Sequence, residues 1–167
     1  YYLAEGGYIT SQGYRLHWIR STQKAEQDVE SRAQRIERAL EDLRDLQTKI
    51  NTYYLKQRNQ IVKRIVGVLK EHRCESLIRY EIHATREYKR KYQGKGRPSK
   101  DSPSNITWKQ VYSISFGVDQ DAVNEDEQTD GVFPLLTNLD DDTYPAKQVL
   151  EIYKFQPFIE KRHSQLK

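Results

Sequence analysis

The chain has 167 residues, enough for one domain or two small ones. Charged residues make up 31% and apolar ones 36%, which is thin for a single compact core and points to an extended shape; a net charge of +4 permits a nucleic-acid partner without requiring one. A single cysteine, Cys74, excludes an internal disulfide and fits a reducing, cytoplasmic setting. No run reaches membrane-spanning length, the start is no signal peptide, and the lack of any Met implies an excerpt of a longer protein.

Residues 14–20, Tyr-Arg-Leu-His-Trp-Ile-Arg, are rich in β formers and predict a strand. Ser21 and Thr22 then offer an N-cap to a long helix. Its apolar positions are Val29, Ala33, Ile36, Leu40, Leu43, Ile50 and Tyr54, with Gln47 the polar interruption. They alternate in steps of four and three, the spacing of a heptad seam. Asn51 and Thr52 can end this helix. Ile61, Ile65, Val68 and Leu69 mark a second, shorter one that stops near His72. The short connection predicts an antiparallel helical hairpin; a free intermolecular coiled coil is the other arrangement that the seam allows.

After Cys74 the periodicity changes. Leu77–Glu87 and Ile106–Val118 alternate roughly and are rich in Ile, Tyr and Val, so both predict strands. The stretch Lys91–Asn105 holds two Gly and two Pro and forms the long tip of a β-hairpin. Residues 120–129 read as an acidic linker or a short surface helix. The apolar run Val132–Thr137 predicts a strand buried on both faces. Asp140–Thr143 supplies a turn and cap, and Pro145 suits a first helical turn. Val149, Leu150, Ile152 and Tyr153 give the packed side of a last helix, which Pro157 kinks or restarts. The fold class is α+β.

Seven basic residues crowd the hairpin between 86 and 100 (Arg86, Lys89, Arg90, Lys91, Lys95, Arg97, Lys100), against Glu87 alone, with Tyr88 and Tyr92 interleaved. A flexible basic finger of this kind follows phosphates, and Gly94 and Gly96 allow close backbone approach. The plainer reading is a solvated hairpin whose charges deter edge pairing. Asp130 and the Asp140–Asp142 cluster suit turn and cap chemistry better than a metal. The histidines at 17, 72, 83 and 163 show no paired ligand spacing, and Cys74 reads as a small buried hydrophobe.

The chain's last stretch carries its strongest chemical signal. Tyr153, Gln156, Glu160 and Lys167 follow at intervals of three, four and seven, so one helical face presents a phenol, an amide, a carboxylate and an ammonium. This tail resembles the Tyr-Arg-Glu-Lys signature of DDE transposases from bacterial insertion sequences, with Gln156 where the family usually has Arg. The preceding Asp130-Gly-Val-Phe-Pro-Leu-Leu-Thr-Asn138 and Pro145-Ala-Lys-Gln-Val-Leu-Glu-Ile-Tyr153 are similar to that group as well, and so, in organisation, is the entry Trp18-Ile-Arg-Ser21 into a long helix.

The resemblance implies an RNase H-like core in which two Asp and one Glu hold two divalent metals, Mg²⁺ or Mn²⁺, for phosphodiester hydrolysis and strand transfer. Glu160 would be the third carboxylate and metal ligand; the two Asp are expected upstream, and no Asp precedes Asp28. Tyr153, Gln156 and Lys167 would touch double-stranded DNA at the transposon end, together with Arg90, Lys91, Lys95 and Arg97 of the basic tip. The organisation that follows is an end strand of a preceding core (1–20), a helical hairpin insertion (21–73), a β-hairpin insertion with acidic linker (74–129), and the final core strand and catalytic helix (130–167). The domain would be incomplete and inactive alone, the whole enzyme a homodimer in its synaptic complex, cytoplasmic in a bacterium. The alternative function is a non-catalytic coiled-coil module that dimerises and binds nucleic acid.

Overall fold

The computed structural model describes residues 2–3, 8–52, 54–92, 104–140 and 142–165, and the chain is α+β. In order the elements are β1 (Tyr2–Leu3), β2 (Tyr8–Ile9), β3 (Arg15–Arg20), α1 (Thr22–Lys49), α2 (Arg58–Glu71), β4 (Ile78–Tyr92), β5 (Ser104–Val118), α3 (Gln120–Glu127), β6 (Val132–Thr137) and α4 (Ala146–Gln165). They form two compact units, one from residues 1–31 with 126–167, the other from residues 32–125. The second unit is thus inserted in sequence between the two halves of the first.

In the first unit β3 is the central strand. It pairs antiparallel with β6 from Arg15↔Thr137 to Arg20↔Val132, and along its other edge with both β1 and β2. Residues far apart in sequence therefore share one sheet, which α4 covers: Ile19, Leu135, Val149 and Leu150 form its core. The run Val132–Thr137 is not buried on both faces. Leu135 and Thr137 point inward while Leu136 is 55% exposed, because β6 is covered on one side and, among the described residues, borders only β3. Pro134 is tolerated on such an edge strand.

Where α1 begins, the Lys24 N–H donates to Ser21 Oγ at 3.3 Å, the expected N-cap. Gly131 closes the same corner. Its φ is +75°, a Cβ there would lie 2.3 Å from the Ser21 carbonyl oxygen, its own carbonyl accepts the Ser21 N–H at 2.9 Å, and its N–H donates to Asp28 Oδ2 at 3.0 Å. Asp130-Gly131 is turn chemistry, as its residue types suggested.

The second unit is built on the helical pair. Ala39, Leu43, Leu46 and Ile50 of the α1 side bury against Ile61, Ile65 and Leu69 of α2, and Cys74, Leu77, Ile78, Ile114 and Val123 complete the cluster. Each fully buried Leu or Ile contributes about 1.5–3 kcal/mol. The helices are antiparallel: Asp42 Oδ2 meets His72 Nε2 at 2.7 Å, and an Arg35 guanidinium N–H donates to the Arg73 carbonyl at 3.1 Å. The seam is turned from the predicted one. Arg32, Ile36, Ala39, Leu43, Leu46 and Ile50 face inward, whereas Val29 and Tyr54 are 48% and 85% exposed and Ala33 is exposed. The two seams share Ile36, Leu40, Leu43 and Ile50, of which Ile36 and Leu40 pack on the core while partly buried, so spacing alone could not separate them; what α1 packs against decides.

The polar Gln47 has its own use. Its amide donates to the Ile114 carbonyl at 3.1 Å, and one turn later the Asn51 side chain both donates to the Tyr112 carbonyl and accepts the Tyr112 N–H, each at 2.8 Å. Two side chains of the helical end thus take the place of a third strand along β5. Asn51 ends α1 in the left-handed region, at φ 66°.

Candidate nucleic-acid interface

The β4–β5 ladder is longer than its apolar pattern implied. Fifteen residue pairs run in unbroken antiparallel register from Ile78↔Val118 to Tyr92↔Ser104. The predicted arms stopped at Glu87 and Ile106, so Arg90 and Lys91, placed by sequence on a loop tip, lie on a strand. Charged residues in regular pairing carry no hydrophobic alternation, and this hid the last third of the ladder. Lys95, Arg97 and Lys100 lie outside the described residues.

Side chains opposite one another share a face, so Arg86, Tyr88 and Arg90 stand beside Gln110, Trp108 and Ile106. Tyr88 and Trp108 meet edge to face, with ring centroids 5.6 Å apart, yet are 61% and 66% exposed. Two guanidinium-bearing residues thus flank an open aromatic pair. The opposite face carries Lys89, Lys91 and Lys109 together with Glu87. Every described residue from 84 to 91 and from 105 to 110 is exposed. The side chains of Arg86, Lys89, Arg90, Lys91 and Lys109 make no hydrogen bond or ion pair with another described residue. Cations without protein partners remain available to phosphate oxygens, and exposed aromatic faces accept stacked bases. Trp108 carried no signal in the sequence, because only the register sets it beside Tyr88.

The second candidate site lies in the first unit. Helix α4 runs from Ala146 to Gln165 and passes through Pro157 as one element, so no new helix starts there. Pro157 lacks the N–H that would bond the Tyr153 carbonyl one turn earlier. Continuity of the helix keeps Tyr153 and Gln156 on a single stripe, and residue 160 falls on the same helix at the spacing that the sequence sets. Val149 and Leu150 are buried; Ile152 and Tyr153, expected on the packed side, are 48% and 49% exposed, since the cover over the sheet needs only one narrow face. The Tyr153 ring lies 6.4 Å from that of Phe133 and tilted against it, which fixes its base while half the residue stays open. Gln156 is exposed. The side chain of Glu160 and all of Lys167 lie outside the described residues.

No group of three or more His, Cys, Asp or Glu side chains gathers as a metal site among the described residues. A single carboxylate such as that of Glu160 does not by itself fit a pair of hard divalent cations, which need further oxygen ligands. Two other acids have structural tasks. Asp28 holds Lys24 Nζ at 2.6 Å as well as the Gly131 N–H, and Asp140 accepts the Thr143 hydroxyl at 3.1 Å. His83 pairs with Ser115 at 2.9 Å, while His17 is buried with Nε2 unpartnered among the described residues. Cys74 is fully buried in the core, and burial pushes its thiol pKa up, against the lowering effect of Arg35. It is not a nucleophile in waiting. No family model, no curated protein and no solved structure matches this chain.

Proposed function

We propose that the chain is part of a DNA transposase of the DDE type, with the β4–β5 arm gripping transposon-end DNA and α4 carrying the third catalytic carboxylate. The observation that carries the DNA contact is the outer arm itself: unpartnered cations on both faces, around an exposed Tyr88–Trp108 pair. Supporting the assignment of α4 are the spacing of Tyr153, Gln156 and Glu160 on one helix, and the sheet that joins the two ends of the chain around an inserted unit. Tyr153 would donate to a phosphate oxygen, Lys167 would neutralise its charge, and Gln156 would add a neutral hydrogen bond. In the complete enzyme, a homodimer at synapsis, Glu160 would share Mg²⁺ or Mn²⁺ with two upstream Asp. The coiled-coil alternative needs a seam open to a second chain, whereas Leu43, Leu46 and Ile50 are already covered within this one.

The test has two arms. Changing Arg86, Arg90 and Lys91 to Gln should weaken binding of this chain to duplex DNA alike across sequences, and flatten log Kd against log salt by about 0.9 for each phosphate no longer neutralised. Unchanged binding would remove the arm from the interface. In the complete protein Glu160→Gln should abolish nicking and spare DNA binding, while residues 1–167 alone should not nick. Nicking by either would place the catalytic acids elsewhere.

A further inference from the structure

The closed end of the helical pair has a charge composition unlike the rest of the two helices. From Thr22 to Asp45 there are seven acids (Glu26, Asp28, Glu30, Glu37, Glu41, Asp42, Asp45) among five cations. From Leu46 to Lys70 there is no acid at all, and six cations: Lys49, Lys56, Arg58, Lys63, Arg64 and Lys70. The first five gather around the turn between α1 and α2. Lys49, Lys63 and Arg64 line a cleft of about 550 Å³ with Thr52, Tyr54, Leu55 and Gln60. Lys56 and Arg58 are exposed on the connection itself. None of the five side chains pairs with another described residue.

Helix pairs that need only solubility mix their surface charges, as the first part of α1 does. Packing does not account for the pattern either, since these side chains lie outside the core that Ile61 and Ile65 enter. Farther along the helices the same Lys49, Lys63 and Arg64 border a second cleft that Asp42, Asp45 and Glu71 also line, so the one-signed surface is confined to the turn. There Asn51 holds β5 at Tyr112 through both hydrogen bonds of its side chain. Tyr112 sits opposite Ala84, where the exposed part of the arm begins, and the next pair on that face is Arg86↔Gln110.

We infer that the turn between α1 and α2 is a second surface for DNA backbone phosphates, continuous with the arm at its root. Asn51 is the positioning residue that keeps the two parts of the track adjoining. The inference rests on the arm being a DNA contact and adds to it: the bound duplex extends beyond the hairpin onto the helical end. The recognised chemistry is the phosphate chain, since a cleft with three cations, a tyrosine hydroxyl and a glutamine amide offers donors to oxygen at many positions and no single base-shaped pocket.

The experiment measures binding of the 167-residue chain to a mixed-sequence duplex of about 30 base pairs, about 100 Å long at 3.4 Å per pair, across a salt series. Three variants are compared: Lys56, Arg58 and Arg64 to Gln at the turn; Arg38, Arg44 and Lys70 to Gln as a control that removes equal charge elsewhere on the helices; and Arg86, Arg90 and Lys91 to Gln on the arm. All six helical positions are exposed, and circular dichroism melting confirms that each variant is folded. The turn variant should reduce the salt slope by up to about 2.7, near 0.9 for each of the three phosphates no longer neutralised, with the control unchanged. Equal reductions in the turn and control variants mean bulk charge only and overturn the inference. A turn variant like the parent beside a weakened arm variant overturns it and leaves the arm reading standing. No binding by the parent chain overturns both.

Discussion

The two halves of the β4–β5 hairpin share one ladder and one register, and almost nothing else. From Ile78 to Ala84, and from Tyr112 to Val118, one face meets the helical pair: Ile78 and Ile114 are buried, with Tyr80, Ile82, Tyr112 and Phe116 packed around them. Beyond Ala84 the same alternation continues with Arg86, Tyr88 and Arg90, and both faces are exposed. Backbone pairing alone therefore does not decide whether a hairpin is scaffold or instrument. The root supplies the free energy that holds the ladder, because an isolated two-stranded hairpin is marginal in water, and the outer half is freed to carry residues that suit a partner.

The largest test of this division is Ile114→Asp. A buried, unpaired carboxylate costs several kcal/mol, and the whole second unit should lose its cooperative thermal transition, as it should with Leu43→Asp. A normal melt for both would mean that the root does not anchor the arm. Next comes Asn51→Ala, which strands the Tyr112 N–H and C=O and should cost about 1–3 kcal/mol by denaturant titration. Asn51→Gly keeps the φ of 66° accessible, so any difference between the two separates backbone strain from removal of the clamp.

Trp108→Ala should sharpen the contrast from the other side. With Trp108 66% exposed, stability should move by less than about 0.5 kcal/mol, while binding of single-stranded DNA should fall by about 1–3 kcal/mol if a base stacks there. A destabilised fold with unchanged binding would reverse the roles assigned to the two halves. The smallest effect belongs to Cys74. Its pKa is raised in the folded state mainly by burial, so above the ordinary thiol range the unfolded chain gives up a proton that the folded chain keeps; that contribution to stability is present at lower pH and fades as pH rises. Alkylation by iodoacetamide near neutral pH should accordingly be slow until the unit is unfolded, and labelling of the native chain at the free-thiol rate would contradict the burial.

Much of the fold was legible in the residues. The strand ahead of Ser21, the N-cap, the break at Asn51, the helix from Arg58 to Glu71 and the strand after Gly131 all follow from local chemistry that acts within a few residues. The α1 seam was legible only in part: Ile36, Leu40, Leu43 and Ile50 do pack inward, but Ala33 and Ala39 fit the same spacing, and packing against α2 and the root of the hairpin decides between them. Likewise the outer third of the hairpin has no apolar alternation to announce it, and the two-residue β1 and β2 exist only as bridges to β3. Of the candidate site, Arg90, Lys91, Tyr153 and Gln156 could be picked out by type and spacing. The partnership of Tyr88 with Trp108, twenty residues apart, required the register.

That register has a consequence for how the chain can change over time. Moving one strand by a single residue past the other would turn Ile114 and Phe116 outward, so the root acts as a key with one setting. The aromatic pair and its flanking arginines inherit that setting from a place far from the tip. Residues beyond Tyr92 and before Ser104 can then lengthen, shorten or be replaced without misaligning what lies behind them. On the proposed reading, a new DNA end could be sampled by rewriting the tip alone, while the Tyr88–Trp108 pair stays in frame.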